Sequence, residues 1–108
     1  MPNHSKKLSA LIISFNEMGY IEKCIKSIEF ADEIIVVDSY STDGTYEYLV
    51  NHPKVKVIQH PFSNFTAQKS FTLEQASNDW VLFMSISSNG CYSFFIYCSI
   101  YVYIYKQN

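Results

Sequence analysis

Two short polar stretches hold the residue types that can do chemistry. Ser14-Phe15-Asn16-Glu17 follows one apolar run, and Asp38-Ser39-Tyr40-Ser41-Thr42-Asp43-Gly44-Thr45 follows another. The second run, Ile34-Ile35-Val36-Val37, is short, β-branched and stops at a carboxylate. It reads as a buried parallel strand whose carboxyl end delivers Asp38 and Asp43 into a crevice, which is where α/β sheets bind ligands. The pairing suits a base or a ribose: Phe15 can stack, Glu17 can accept from hydroxyls, and Asp38 can accept an N–H or O–H. Neither G-x-G-x-x-G nor G-x-x-x-x-G-K-[ST] occurs, so the first loop does not hold a diphosphate. Ser41 and Asp43 are read as turn and capping residues of the next helix in preference to ligand contacts.

The elements that must position these residues follow from periodicity. Residues 8–15 are a β-rich apolar run, and Ile21, Cys24, Ile25 and Ile28 recur at helical spacing within residues 20–29. A strand over residues 34–38 leads to a helix at about residues 45–51 that Pro53 ends, then to a strand marked by Val55, Val57 and His60. A third helix, less cleanly periodic, is expected over residues 66–76 with Phe71 inward, and residues 80–84 form a fourth strand. This order predicts an α/β fold, a Rossmann-like parallel sheet with right-handed crossovers and helices on both faces.

Composition sets the bounds. At 108 residues the chain has room for one small domain that buries roughly 65% of its unfolded surface. A net charge of -2, with eight scattered Lys and Arg, argues against nucleic acid as a partner. Residues 1–7 lead into no signal-peptide apolar region, which reads as a cytoplasmic start. Cys24, Cys91 and Cys98 make no C-x-x-C pair, and His4, His52 and His60 lack zinc-site spacing, so reduced thiols and no structural metal are expected. Cys24 on the helical stripe is a small buried hydrophobe.

Beyond Trp80 no charged residue occurs until Lys106, and five of the nine tyrosines lie there. Residues 96–105 alternate strictly between Ile, Val or Cys and Tyr or Ser, and Asn89-Gly90 is a favoured hairpin turn. The local reading is an aromatic β tail forming a hairpin with strand four. A membrane helix needs about 20 apolar residues; Ser85, Ser87, Ser88, Asn89 and Gly90 interrupt this segment, and membrane association through the tail is kept as an alternative. So are an aggregation-prone edge and an out-of-register sequence joined after Met84.

Leu11-Ile12-Ile13-Ser14-Phe15-Asn16-Glu17, Val36-Val37-Asp38-Ser39 with Ser41-Thr42-Asp43-Gly44-Thr45, and Gln68-Lys69 leading to Asn78-Asp79-Trp80-Val81-Leu82 resemble family-2 glycosyltransferases, most nearly the lipopolysaccharide-core glucosyltransferase group. The resemblance covers residues 7–84 and implies a glycosyltransferase A fold binding a UDP-sugar. By position it places Ser14, Phe15, Asn16 and Glu17 along base and ribose, Asp38 on the uracil, and Lys69 near base or phosphate. Intact members would use magnesium or manganese, held by an Asp-x-Asp, to transfer a sugar to a lipopolysaccharide or other glycan acceptor.

Here the corresponding residues are Ser85-Ile86-Ser87, and residues 85–108 contain no Asp, Glu or His. Hydroxyls do not replace carboxylates on a hard cation, and general-base catalysis needs a group in reach of the attacking oxygen. The resemblance therefore implies a truncated glycosyltransferase A fold: residues 1–84 as a nucleotide-sugar-binding half and residues 85–108 as an uncharged aromatic tail. No catalytic residue, metal ligand or cofactor is expected to be retained. A weakly held UDP-sugar is the expected partner, and the location is cytoplasmic or at the inner face of the membrane. The alternatives are a non-catalytic nucleotide-binding or interaction module and a small tail-anchored membrane protein.

Overall fold

The computed structural model describes residues 7–87 and 90–97, with side chains as far as Met84. The chain runs β1 (Leu8–Ser14), α1 (Ile21–Ser27), β2 (Glu33–Asp38), α2 (Thr45–Val50), β3 (Val55–Gln59), α3 (Phe65–Glu74), β4 (Trp80–Ser87) and β5 (Gly90–Tyr97). The sheet order is β3-β2-β1-β4-β5. β1 pairs in parallel with β2 and β4, and β2 in parallel with β3. β5 is antiparallel to β4, as a hairpin from strand four requires. Asn89, and the alternation expected beyond Tyr97, lie outside the described residues.

Alternation along β1 and β2 divides the interior into two cores. Ala10, Ile12, Ile34 and Val36 pack with Ile21, Cys24, Ile25 and Ile28 of the α1 region and Leu49 of α2. Leu11 and Ile35 pack on the opposite face with Leu73 and Ala76 from the α3 region and with Val81 and Phe83. Each fully buried Ile, Leu or Phe contributes about 1.5–3 kcal/mol of transfer free energy, and two-sided burial explains why β1 and β2 read as continuous apolar runs. The chain steps outward from β1 to β3 and returns to the other side of β1 at β4. That reversal puts α3 on the opposite face and makes the carboxyl ends of β1 and β4 the topological switch point of the sheet. Cys24 is disulfide-bonded, which corrects the expectation of reduced thiols, although the residue is buried as expected.

Near the amino end of the sheet, Glu33 accepts from the Ser9 hydroxyl at 2.6 Å and from the Ser77 amide and hydroxyl at 2.9 and 2.8 Å. Partial burial pushes its pKa up, but these bonds and the Lys56 charge outweigh it and hold the carboxyl below its ordinary value. A depressed carboxylate stabilises the fold fully above its unfolded pKa and loses that contribution as pH falls through the folded one. Glu33→Gln should therefore cost about 1 kcal/mol at neutral pH. Urea melts should show the gap to wild type closing as the pH falls below about 4.

Candidate functional site

The same alternation divides the polar residues at the carboxyl end. Asp38 continues the series Ile34, Val36 toward the α1 and α2 side, while Ser39 meets α3. Asp38 is fully buried. Its Oδ1 accepts from the Ser14 hydroxyl at 2.8 Å and the Ser41 hydroxyl at 2.6 Å, and its Oδ2 accepts from the Ser41 amide at 2.9 Å. These bonds make Asp38 the floor of the site and the anchor of the loop that follows it.

Above that floor the two loops interlock. The Asn16 amide donates to Ser41 Oγ at 2.8 Å, the Glu17 amide to Thr45 Oγ1 at 2.9 Å, and the Met18 amide to Asp43 Oδ2 at 3.1 Å. In return the Thr42 amide donates to Asn16 Oδ1 at 2.8 Å. Three successive backbone amides of the first loop are thus satisfied by side chains of the second, which fixes a surface connection that would otherwise need water. Asp43 also accepts from the amide and hydroxyl of Thr45, the first residue of α2, as a turn residue; the N-cap itself is Gly44, which has no side-chain cap. Slight burial works to raise its pKa, but the Thr45 and Met18 bonds prevail and hold it low. Burial and the charge of Asp43 push the Glu17 carboxyl up.

Two non-glycine residues of these loops have left-handed backbone, Asn16 (φ 51°) and Tyr40 (φ 58°). Asparagine tolerates that region; a bulky aromatic there is strained by about 1–2 kcal/mol. The Asp38 bonds to Ser41 hold the loop around Tyr40, which is 53% exposed; Phe15 of the first loop is 56% exposed. Tyr40→Gly should relieve the strain and, less the added entropy of an unfolded glycine, raise stability by about 0.5–1 kcal/mol in a denaturant melt.

A second polar cluster lies on the α3 side. Gln68 is buried, and its Nε2 donates to Ser39 Oγ at 2.9 Å and to the His60 carbonyl at 3.1 Å. Its Oε1 is 2.7 Å from His60 Nδ1. The His60 ring stacks on Phe71 at 3.7 Å between centroids, and its backbone amide donates to the Asp38 carbonyl at 3.0 Å. Phe71 is thus half-buried against a histidine, and the fully inward positions of α3 are Gln68, Thr72 and Leu73. Lys69 lies with its ammonium 5.7 Å from the centre of the Phe83 ring, and burial lowers its pKa.

The structure therefore brings Ser14, Asn16, Glu17 and Asp38 into one hydrogen-bonded unit with Phe15 exposed at its edge, and sets Lys69 on α3 next to Gln68. Among the described residues no group of His, Cys, Asp and Glu side chains is placed to hold a metal ion. The sequence reading missed Tyr40, His60 and the role of Gln68. The irregular period of α3, which has an amide on its buried face, was the available signal.

Residues 9–85 match the family model described as Glycosyl transferase family 2. The chain belongs to that family. It is 43% identical over 77 residues to the lipopolysaccharide core biosynthesis glycosyltransferase LpsC of Rhizobium meliloti (strain 1021), covering 68% of this chain and 28% of the relative. It is 44% identical over 79 residues to an uncharacterized glycosyltransferase of Rickettsia bellii (strain RML369-C), covering 72% and 26%. A more distant relative, glycosyltransferase SunS of the SPbeta prophage in Bacillus subtilis (strain 168), is 35% identical over 85 residues, covering 76% and 20%. The chain spans about a quarter of the length of the first two relatives. Membership agrees with the observed sheet, a four-stranded parallel core of Rossmann-like, glycosyltransferase A type, and implies a nucleotide-sugar donor in general terms. Among the described residues no helix is long and apolar enough to cross a membrane.

Proposed function

We propose that residues 1–84 are the donor-binding half of a glycosyltransferase domain, that the donor is a UDP-sugar, and that relatives of full length pass its sugar to a lipopolysaccharide or other glycan acceptor. The observation that carries the reading is the pair of interlocked loops at the carboxyl end of β1 and β2. They build a hydrogen-bonded rim with exposed side chains at the carboxyl end of the sheet, where parallel sheets bind ligands. In this reading Phe15 stacks on the base, Asn16 and Glu17 meet the ribose, and Lys69 serves base or phosphate. Ser14 and Asp38, both buried, form the floor beneath the base and act through the loops they hold.

The rim is otherwise acidic, with Glu17, Asp38 and Asp43 on its loops, so a diphosphate needs a counter-charge these loops do not supply. These 108 residues alone are accordingly proposed to bind UDP weakly, through the uridine, and to transfer nothing. We place the protein in the cytoplasm, with the aromatic tail, residues 85–108, whose one charged residue is Lys106, as its contact with the inner face of the membrane. Vesicle flotation of the full chain and of a chain ending at Met84 tests that placement; equal flotation of the two would contradict it.

Calorimetry with UDP, uridine and inorganic pyrophosphate tests the site. Similar affinities for UDP and uridine, with none for pyrophosphate, are expected. Binding of pyrophosphate as tight as that of UDP would show that the phosphate side has been misassigned.

A further inference from the structure

Gln68 is a long polar side chain on the sheet-facing side of α3, where an apolar residue would satisfy the fold, and every polar atom of its amide is engaged. Its orientation is decided by chemistry. The His60 carbonyl can only accept, so the atom 3.1 Å from it must be the NH2 group, and Oε1 must be the atom facing the His60 ring. Oε1 can only accept in turn, so His60 Nδ1 carries a hydrogen. In the neutral ring Nε2 is then bare and is the acceptor left to a ligand.

The residue is held at three points, two of them on the ring. Nδ1 is bound to Gln68, one face rests on Phe71, and the backbone amide is bonded to the carbonyl of Asp38, the floor residue of the site. The ring keeps partial exposure. A fixed tautomer that is stacked, tethered and joined through its backbone to a binding site is an arrangement for reading a hydrogen-bond pattern, because a mispaired buried acceptor is penalised more than a correct pair is rewarded.

We propose that His60 is a specificity-determining residue of the nucleoside site, selecting a base with a ring N–H, uracil over cytosine, and that Gln68 is the positioning residue that fixes its tautomer. This rests on the nucleotide-site reading above. Uracil N3 carries a hydrogen and can donate to a bare Nε2; cytosine N3 carries none and would oppose acceptor to acceptor. The Ser39 hydroxyl, whose oxygen accepts from Gln68, keeps its own hydrogen for a neighbouring carbonyl of the base.

The test combines nitrogen NMR of the histidine rings with UDP and CDP affinities for wild type, His60→Phe and Gln68→Met. Phenylalanine keeps a ring to stack on Phe71 and removes both nitrogens; methionine keeps the length of Gln68 and removes the tether. The proposal expects the Nδ1–H tautomer at the alkaline limit in wild type and its loss in Gln68→Met. It also expects a preference for UDP over CDP of about tenfold in wild type, falling to near unity in both variants. If Gln68→Met does not fold, the ratio in His60→Phe decides. An Nε2–H tautomer in wild type, or an unchanged UDP-to-CDP ratio in variants that still bind UDP, overturns this proposal alone. Absence of any nucleotide binding by wild type overturns the site reading and this proposal with it.

Discussion

Asp38→Ala is expected to lower stability by about 2–4 kcal/mol, since three hydrogen bonds to a fully buried carboxylate are lost and their donors are left without a partner. For a domain of this size that is a fall in melting temperature of more than about 10 °C. The loss should also extend to binding. Ser41 is held by Asp38 and in turn holds the Asn16 amide, so removing the carboxylate frees both loops at once. Uridine affinity should drop at temperatures where the variant is still folded. Asp38→Asn, which keeps one accepting oxygen, should fall between the two. A thermal melt and a uridine titration on the three proteins check the order; an Asp38→Ala protein as stable as wild type would remove Asp38 from its place as floor.

The second large effect is on turnover. A leaving nucleoside diphosphate gains negative charge as the sugar bond breaks, and catalysis requires a cation or fixed dipoles where that charge develops. β4 pairs in parallel with β1, with Met84 one residue beyond the pair of Leu11 and Phe83, so Ser85-Ile86-Ser87 follows at the same carboxyl end as Ser14. At these positions the resemblance to the family calls for carboxylates. We therefore expect no release of UDP from a UDP-sugar above the spontaneous rate, with or without manganese. Ser85→Asp combined with Ser87→Asp should raise manganese affinity and still give no transfer, because residues 85–108 offer no Asp, Glu or His as base. A coupled UDP-release assay on both proteins is sufficient, and metal-dependent release by the unaltered chain would contradict the assignment.

Much of this architecture is legible in the sequence because burial dictates it. Ile34 to Val37 are apolar on both faces and could only be an interior strand, and Ile21, Cys24, Ile25 and Ile28 mark one stripe of α1. The start of α3 shifts to Phe65 because Asn64 caps it, its side chain accepting from the Ala67 amide at 2.8 Å. Strand β4 runs to Ser87 because β5 pairs with it beyond Met84.

The candidate site was legible only in part. Ser14, Asn16, Glu17 and Asp38 follow apolar runs, so strand ends announce them. The bonds that join the loops span 25 to 28 residues of sequence, and no local pattern reports them. Gln68 and Ser39 are 29 residues apart and meet only once α3 has crossed to the opposite face. The left-handed conformation of Tyr40 is equally hidden, because it is imposed by the Asp38 side chain and opposes the preference of tyrosine itself.

Nucleoside binding at the interlocked loops is open to amide shift mapping during a UDP titration. The largest changes should fall on the amides of Asn16, Glu17 and Met18, on Ser39 to Thr45 and on His60, with the Glu33 and Ser77 amides at the opposite end unmoved. Shifts centred on Glu33 and Ser77, or no shifts at millimolar UDP, would contradict it.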